Sequence, residues 1–279
     1  MIRNNAQPLL LAAFSTLLYY IFAYHLVRSD FIRLISLVAG LFIITYFLIK
    51  SYGWNFWLLA GIGIFFRLLF LPAIPNLSQD FYRFLWDGRM IVNGLNPYLY
   101  TPESILASPE LIMGEIPHNG QLLKDGMGAL NASHFSNYPP VNQFFFGIAA
   151  LLTGKSILGS VIVLRILIIL ADLGTLYFGS KLLKAMDLPA TNIFWYFLNP
   201  FIIIELTGNL HFEGVMLCFL VWSLYLLHRK KWVWSAILFG VSISVKLIPL
   251  LLLPLLMKYL VKRTNIKNGI LRLAGYYTL

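Results

Sequence analysis

Asp80, Arg83, Asp87 and Arg89 stand in one short stretch, residues 78–100, of a chain that is otherwise nearly all apolar. Ionisable groups at a bilayer are costly to keep, so this stretch is the first place to look for chemistry. Asp80 suits a general base held at the membrane surface, taking a proton from an attacking hydroxyl. It equally suits the first turn of a helix, where the dipole favours a carboxylate. Ser78 is expected to cap that helix by accepting from a backbone N–H two or three residues on. Arg83 and Asp87 are spaced i,i+4, which predicts an intrahelical ion pair. Arg89, after Gly88, either snorkels to a lipid headgroup or grips a phosphate with its planar fork. Gly94 and Pro97 then stop the helix, one by adopting a left-handed cap and the other by lacking an N–H.

A second polar group follows an apolar run: Asn209, His211 and Glu213 alternate along the chain. Positions two apart diverge on a helix, so His211 and Glu213 share a ligand only in extended or loop backbone. Two such ligands fall short of a closed metal site. A metal or phosphate contact and a plain polar span end both remain open. Arg165 and Asp172 lie two helical turns apart on one face of a span, as helix-packing polar residues do. Lys246 stands in mid-tract beside Pro249, which points to a broken helix or hairpin there, with one straight tilted span as the alternative.

These groups need helices to position them. Candidate spans are residues 8–27, 32–49, 54–71, 158–178, 193–207 and 212–227, with a longer tract at 232–260. Residues 140–153 form an apolar helix too short for a hydrocarbon core that needs about 20 residues. Between 72 and 139 runs a loop far longer than the roughly 2–8 residues usual between packed helices, and such loops are commonly functional or disordered. The expected organisation is one membrane domain, 1–279, with 72–139 as its elaborated loop. No repeat and no cleavable signal peptide is read from the sequence; the first apolar run is long enough to be a span.

Composition agrees. Of 279 residues 59% are hydrophobic and 11% charged, against roughly 25% charged in soluble domains. Seven Trp, 15 Tyr and 22 Phe fit rings gathered at the headgroup level. The lone Cys218 offers no disulfide and is expected to be a small core residue. The net charge of +10 is unevenly placed: the 72–139 loop holds six acids against three bases. The excess of bases therefore flanks the spans, as the positive-inside rule predicts. No basic stripe interleaved with stacking aromatics is present, which excludes nucleic acid as partner.

The same bases give a topology. Arg3 and Lys50 are assigned to the cytoplasm, which puts the loop outside after three crossings. Lys181, Lys184 and Arg229–Lys231 are also assigned inside, with Lys258, Lys262 and Arg263 returning there. All hold together if 158–178 crosses once and 140–153 dips in without crossing; Arg28 and Arg33 are the exceptions. His211 then shares the outer face with Asp80.

Asp80-Phe-Tyr-Arg83-Phe-Leu-Trp86-Asp87-Gly88-Arg89, then Gly94-Leu-Asn96-Pro97-Tyr98 and Tyr100-Thr-Pro102, resembles the first extracytoplasmic loop of polyprenol-phosphate-mannose-dependent mannosyltransferases of the GT-C superfamily. The bacterial α-1,6-mannosyltransferases look nearest, and mannosyltransferase I of the GPI-anchor pathway is similar more distantly. Tyr138-Pro139-Pro140, Asn199-Pro200 with Glu205, Asn209 and His211, and the run from Lys246 to Pro254 occur in the order such proteins show. The resemblance covers roughly residues 54–257. It implies an all-α polytopic bundle of the GT-C type in the cell membrane, its active site on the extracytoplasmic face and its long loop carrying short amphipathic helices. A hexose, mannose by this resemblance, would pass from a polyprenyl-phosphate-linked donor to a hydroxyl of a glycan or glycolipid acceptor.

The resemblance makes Asp80 the base. Arg83, Arg89, His211 and Lys246 would meet the donor phosphate, with Asp87, Asn96, Tyr98, Tyr138, Asn209 and Glu213 about the substrates. Glu213 and Asn209 would orient His211 or bind a divalent cation, Mg2+ or Mn2+; no other cofactor is implied. Ser78 stands where GPI-pathway relatives carry the first acid of an Asp-x-Asp pair, which argues against a loop metal. Relatives are longer, so a compact or C-terminally shortened form is expected, with an inactive relative as one reading. A transporter or lipid-linked-sugar flippase is the other alternative, though transporters usually show repeats and polar groups near the midplane.

Overall fold

Side chains that accept backbone N–H groups set where several apolar runs become helices. Asp30 caps α2 (Phe31–Tyr52) through Arg33 N–H at 3.1 Å, and Asn55 caps α3 (Phe56–Leu69) through Leu58 N–H at 3.2 Å. In the computed structural model, residues 6–111, 115–256, 271 and 273–276 are described, and every regular element among them is helical. Arg3, Lys258, Lys262 and Arg263, used above for topology, lie outside the described residues.

The chain divides into two compact units. The first comprises Met1–Tyr138, Asn142–Ile169 and Phe194–His211. In it α1 (Ala6–His25) packs on α2 and α3. Tyr19 meets Phe66 with ring centroids 4.9 Å apart, and Phe22 meets Phe70 at 6.5 Å. The opposite faces of α1 and α2 expose Leu10, Phe14, Ile35, Ile43 and Phe47, the pattern of helices solvated by lipid. Among the described residues three helices are long and apolar enough to cross a membrane: α1, α2 and α8 (Ile157–Ala185). Helix α3 and the short α7 (Pro140–Thr153) each have 14 residues, about 21 Å of rise at 1.5 Å per residue.

The long loop folds as α4 (Asp80–Val92), α5 (Pro102–Ala107) and α6 (Gly120–Ala132), with α6 packed on both others. Thr101 and Ser104 form a reciprocal capping box with Pro102 at the first turn of α5. Helix α4 ends as its glycine predicts. Gly94 is left-handed at φ 73°, and Leu95 N–H and Gly94 N–H return to Met90 O and Ile91 O, a Schellman cap.

The expected span at 193–207 is broken. It reads α9 (Phe194–Phe197), α10 (Pro200–Ile202) and a π-helical turn, Ile203–Gly208. Asn199-Pro200 causes the first break, because the proline ring cannot follow a residue in helical backbone.

The second unit holds Pro139–Val141, Leu170–Ile193 and Phe212–Leu279. Its centre is the hairpin of α11 (Glu213–His228) and α12 (Trp232–Val245). Ser223 and Ser235 bond each other's carbonyls at 2.7 and 2.8 Å in the apolar interface. Phe178 stacks on Trp222 at 4.4 Å, and Cys218 is buried as a core residue. The expected break at Lys246 is present: α12 stops there in extended backbone, and a 3-10 turn, Ile248–Leu252, follows.

Candidate active site

Helix α4 begins at Asp80 with Gln79, not Ser78, in the capping position. The Ser78 hydroxyl instead accepts Asp80's own N–H at 3.3 Å, the shorter of the two reaches expected. Asp80 is half-buried. Its carboxylate makes no hydrogen bond or ion pair among the described residues.

The segment leading into Asp80 is fastened on two sides. Asn76 Nδ2 donates to Phe22 O at 2.8 Å and Leu26 O at 3.3 Å, taking up carbonyls near the end of α1. Leu77 N–H donates to Asn209 Oδ1 at 3.2 Å. Asn209 Nδ2 then donates to Glu205 Oε2 at 3.3 Å, and His211 Nδ1 lies 3.3 Å from the same oxygen. Asn209 is buried, whereas the side chains of Glu205 and His211 keep 22% and 28% exposure. This network joins the entry to α4 with the π-helical turn.

Arg165 holds the irregular backbone on both sides of it. Fully buried in α8, it donates to Thr207 O, Leu71 O, Ala73 O and Gly208 O at 2.6–2.9 Å. It acts as the expected packing residue, towards backbone. Irregular backbone at membrane depth is tolerated only when its polar groups are satisfied in this way.

The other charges of α4 turn inward. Arg83 Nε donates to Asp87 Oδ1 at 2.8 Å, and its Nη1 donates to Asn131 O and His134 O at 3.1 and 2.8 Å. Asp87 also accepts from Ser136 and from Gln143 at 2.8 Å. Burial pushes the Asp87 carboxyl above the usual range, although Arg83, Ser136 and Gln143 all pull it down. Arg89 donates to His118 O and to Lys155 O, the latter at 3.1 Å. Arg83 and Arg89 are 1% and 3% exposed. Both were read from sequence as phosphate ligands; here Arg83 ties α4 to the end of α6, and Arg89 ties it to the backbone at His118 and Lys155. Asp87 likewise faces Arg83, not solvent.

Asn96 and Tyr98 shape the turn after α4: Asn96 Oδ1 accepts Tyr98 N–H at 2.9 Å, and Tyr98 OH donates to Tyr138 O at 2.7 Å. Tyr138 stands edge-on to Phe84 at 5.0 Å. Lys246 and Glu213 belong to the second unit, where they form an ion pair with each other. The partner expected for His211 was Glu213; the structure supplies Glu205.

Sequence reading passed over Glu205 as a site residue, yet a signal existed. It is an acid inside an expected span, which by itself marks a functional candidate. Among the described residues no group of three or more His, Cys, Asp or Glu could hold a metal ion. Glu205 and His211 supply two strong donors, and Asn209 one amide, short of the usual set.

Residues 21–262 match the family described as alpha-(1->6)-mannopyranosyltransferase, N-terminal domain. The chain is 23% identical over 202 residues to alpha-(1->6)-mannopyranosyltransferase A of Corynebacterium glutamicum, an alignment covering 70% of this chain and 38% of that protein. The Mycobacterium tuberculosis protein of the same name is 23% identical over 201 residues, covering 71% and 36%. Alpha-(1->6)-mannopyranosyltransferase B of C. glutamicum is 26% identical over 153 residues, covering 54% and 24%. The chain thus spans less than two-fifths of the length of these curated relatives. No solved structure matches. The family match takes in the whole of α4, the π-helical turn, the Glu205 network and the α11–α12 hairpin; the chain belongs to the alpha-(1->6)-mannopyranosyltransferase N-terminal domain family.

Proposed function

We propose that this protein is a GT-C glycosyltransferase that moves mannose from a polyprenyl-phosphate-linked donor to an acceptor hydroxyl on a glycan or glycolipid. The reaction takes place at the extracytoplasmic face of the cell membrane. Asp80 is the base. It removes the acceptor proton as that oxygen attacks the anomeric carbon, and the bond from that carbon to the phosphate oxygen breaks. The phosphate leaves with the bonding electrons and needs charge stabilisation rather than a strong acid. His211 provides it. One carboxylate and a cation therefore suffice, where glycosidases use a carboxylate pair.

The observation that carries this reading is the Leu77–Asn209–Glu205–His211 network. It links the backbone just before an unengaged carboxylate, through Asn209 and Glu205, to a half-exposed imidazole, and this link supports the pairing of base and cation that the reaction needs. Arg83, Asp87 and Arg89 build the ground on which Asp80 stands, without meeting the donor.

The outer-face assignment draws support from α7. Near one end Gln143 holds Asp87, and just past the other the Lys155 carbonyl accepts from Arg89 and from Asn119 at 3.1 and 3.2 Å. A helix fastened to the same loop at both ends fits one that dips without crossing. The direct test is transfer of labelled mannose from polyprenyl-phosphate-mannose by the purified chain, with Asp80→Asn as control. Transfer by wild type and none by the variant is expected. Donor movement across liposomes without transfer would overturn the reading in favour of a flippase.

A further inference from the structure

The Glu205–His211 pair is unusual in its backbone. Glu205 lies in the π-helical turn Ile203–Gly208, and such turns are frequent at functional sites. Leu210, between the two partners, is fully buried and left-handed at φ 61°. A branched residue rarely adopts that conformation, so surrounding structure must impose it. Its effect is to reverse the chain at once after the turn: His211 N–H returns to Glu205 O at 3.3 Å, and the ring's Nδ1 comes within 3.3 Å of the carboxylate of the same residue.

We infer that Glu205 is a positioning residue, which takes the Nδ1–H of a His211 imidazolium and so presents its Nε2–H to the departing phosphate. This rests on the reading of His211 given above. The imidazole has two nitrogens, and the group held by one decides what the other can do. With Nδ1 turned to Glu205 Oε2, only Nε2 is left for a ligand. The same carboxylate oxygen accepts from Asn209 Nδ2, so Glu205 cannot rotate away without releasing the residue that holds Leu77. Glu205 touches no substrate; its action passes through the ring. The 3.3 Å spacing is slightly long for a hydrogen bond, as such pairs commonly are before substrate arrives.

The test compares Glu205→Gln, His211→Gln and Asp80→Asn in the full chain, using polyprenyl-phosphate-mannose as donor and 15N-histidine labelling as an activity-independent readout. Removing the phosphate-facing donor in His211→Gln is expected to cost about 10²–10³-fold in kcat. Glu205→Gln should cost about 10–100-fold in kcat with little change in donor KM, as loss of an orienting partner does. Its His211 15N resonances, identified by their absence from His211→Gln, should lose the signature of an imidazolium that holds Nδ1–H against Glu205 and keeps Nε2–H. Glu205→Gln keeps an oxygen for Asn209, so folding is expected to survive, and thermal melting checks it. Unchanged His211 resonances in a folded Glu205→Gln protein would overturn the inference whatever the activity. So would full activity in Glu205→Gln alongside a crippled His211→Gln. If instead His211→Gln and Asp80→Asn both transfer normally, it is the catalytic reading that fails, and the resonances still report whether Glu205 holds the ring.

Discussion

The side chain of Asn209 accepts the backbone N–H of Leu77 at 3.2 Å across 132 residues of sequence. Asn209 is 1% exposed, so removing its amide leaves a donor with no ready replacement. Asn209→Ala is expected to lower stability by about 1–3 kcal/mol, the cost of stranding a buried polar group. Mannosyl transfer should fall with it, because the entry to α4 loses its tether. Thermal melting of the purified protein and a transfer assay check both; an unchanged melting temperature would show the bond to be dispensable.

Asp80→Asn should reduce transfer by about 10²–10⁴-fold, the usual loss when a general base is removed. The site is half-buried and the change nearly isosteric, so expression and melting temperature should stay near wild type. Residual transfer above about a tenth of wild type is too much for a missing base, and would take Asp80 out of the role.

Arg83 and Asp87 are 1% and 0% exposed, 2.8 Å apart. Arg83→Met leaves the Asp87 charge to Ser136 and Gln143 alone, and breaking a buried pair in this way costs about 3–5 kcal/mol. The double variant Arg83→Met with Asp87→Leu should recover much of that loss, since no buried charge is left uncompensated. A double variant no more stable than the single one would contradict the pairing. Calorimetry on the three proteins separates the cases.

At Gly88 a Cβ would stand 2.2 Å from Phe146 O and 3.3 Å from Ala150 Cβ. Backbone cannot yield as a side chain can, so Gly88→Ala must force α4 and α7 apart. The expected penalty exceeds the roughly 1–3 kcal/mol typical of overpacking, and shows as poor recovery of folded protein. Gly94→Ala, where nothing lies within 4 Å but φ is 73°, should be milder; the order of the two melting temperatures is the check.

Single cysteines at Asn137, Lys155 and Lys184, in a background with Cys218 replaced, test the course of α7. Asn137 and Lys155, on either side of α7, should both label from the outer side and Lys184, beyond α8, from the cytoplasm. Labelling of Asn137 and Lys155 from opposite sides would mean that α7 crosses, and the face assigned to Asp80 would have to change.

Local chemistry was the legible part. The stop after α4 follows from Gly94 and Pro97, the Arg83–Asp87 pair from i,i+4 spacing, and the break at Lys246 from Pro249; all three involve atoms a few bonds apart. The all-α membrane class is legible for a different reason, since hydropathy sums over many residues. The partner of His211 was not legible. A regular helix through 205–211 would point position 211 away from position 205, and only the π-helical turn with left-handed Leu210 brings them together. Nor did spacing reveal that Lys246 meets Glu213, because the α11–α12 hairpin closes that distance. The partners of Arg89 were hidden for a related reason: the carbonyls of His118 and Lys155 carry no side-chain signature in a sequence.

Arg165 implies an order of events while the chain is being made. Its guanidinium waits for carbonyls on both sides of it in the sequence: Leu71 and Ala73 are synthesised long before it, Thr207 and Gly208 some forty residues after. Until α8 has entered the bilayer, the carbonyls at 71 and 73 lack their final donor and stay hydrated. Until Gly208 has left the ribosome, the arginine itself is half-satisfied inside a long apolar helix. Nascent chains ending before residue 208 should therefore hold α8 loosely, within reach of the insertion machinery. A lysine at 165 would not mend this, since an ammonium offers three donors from one point where the guanidinium spreads five across a plane. Assembly of this region is thus gated by a residue whose four partners are all backbone carbonyls.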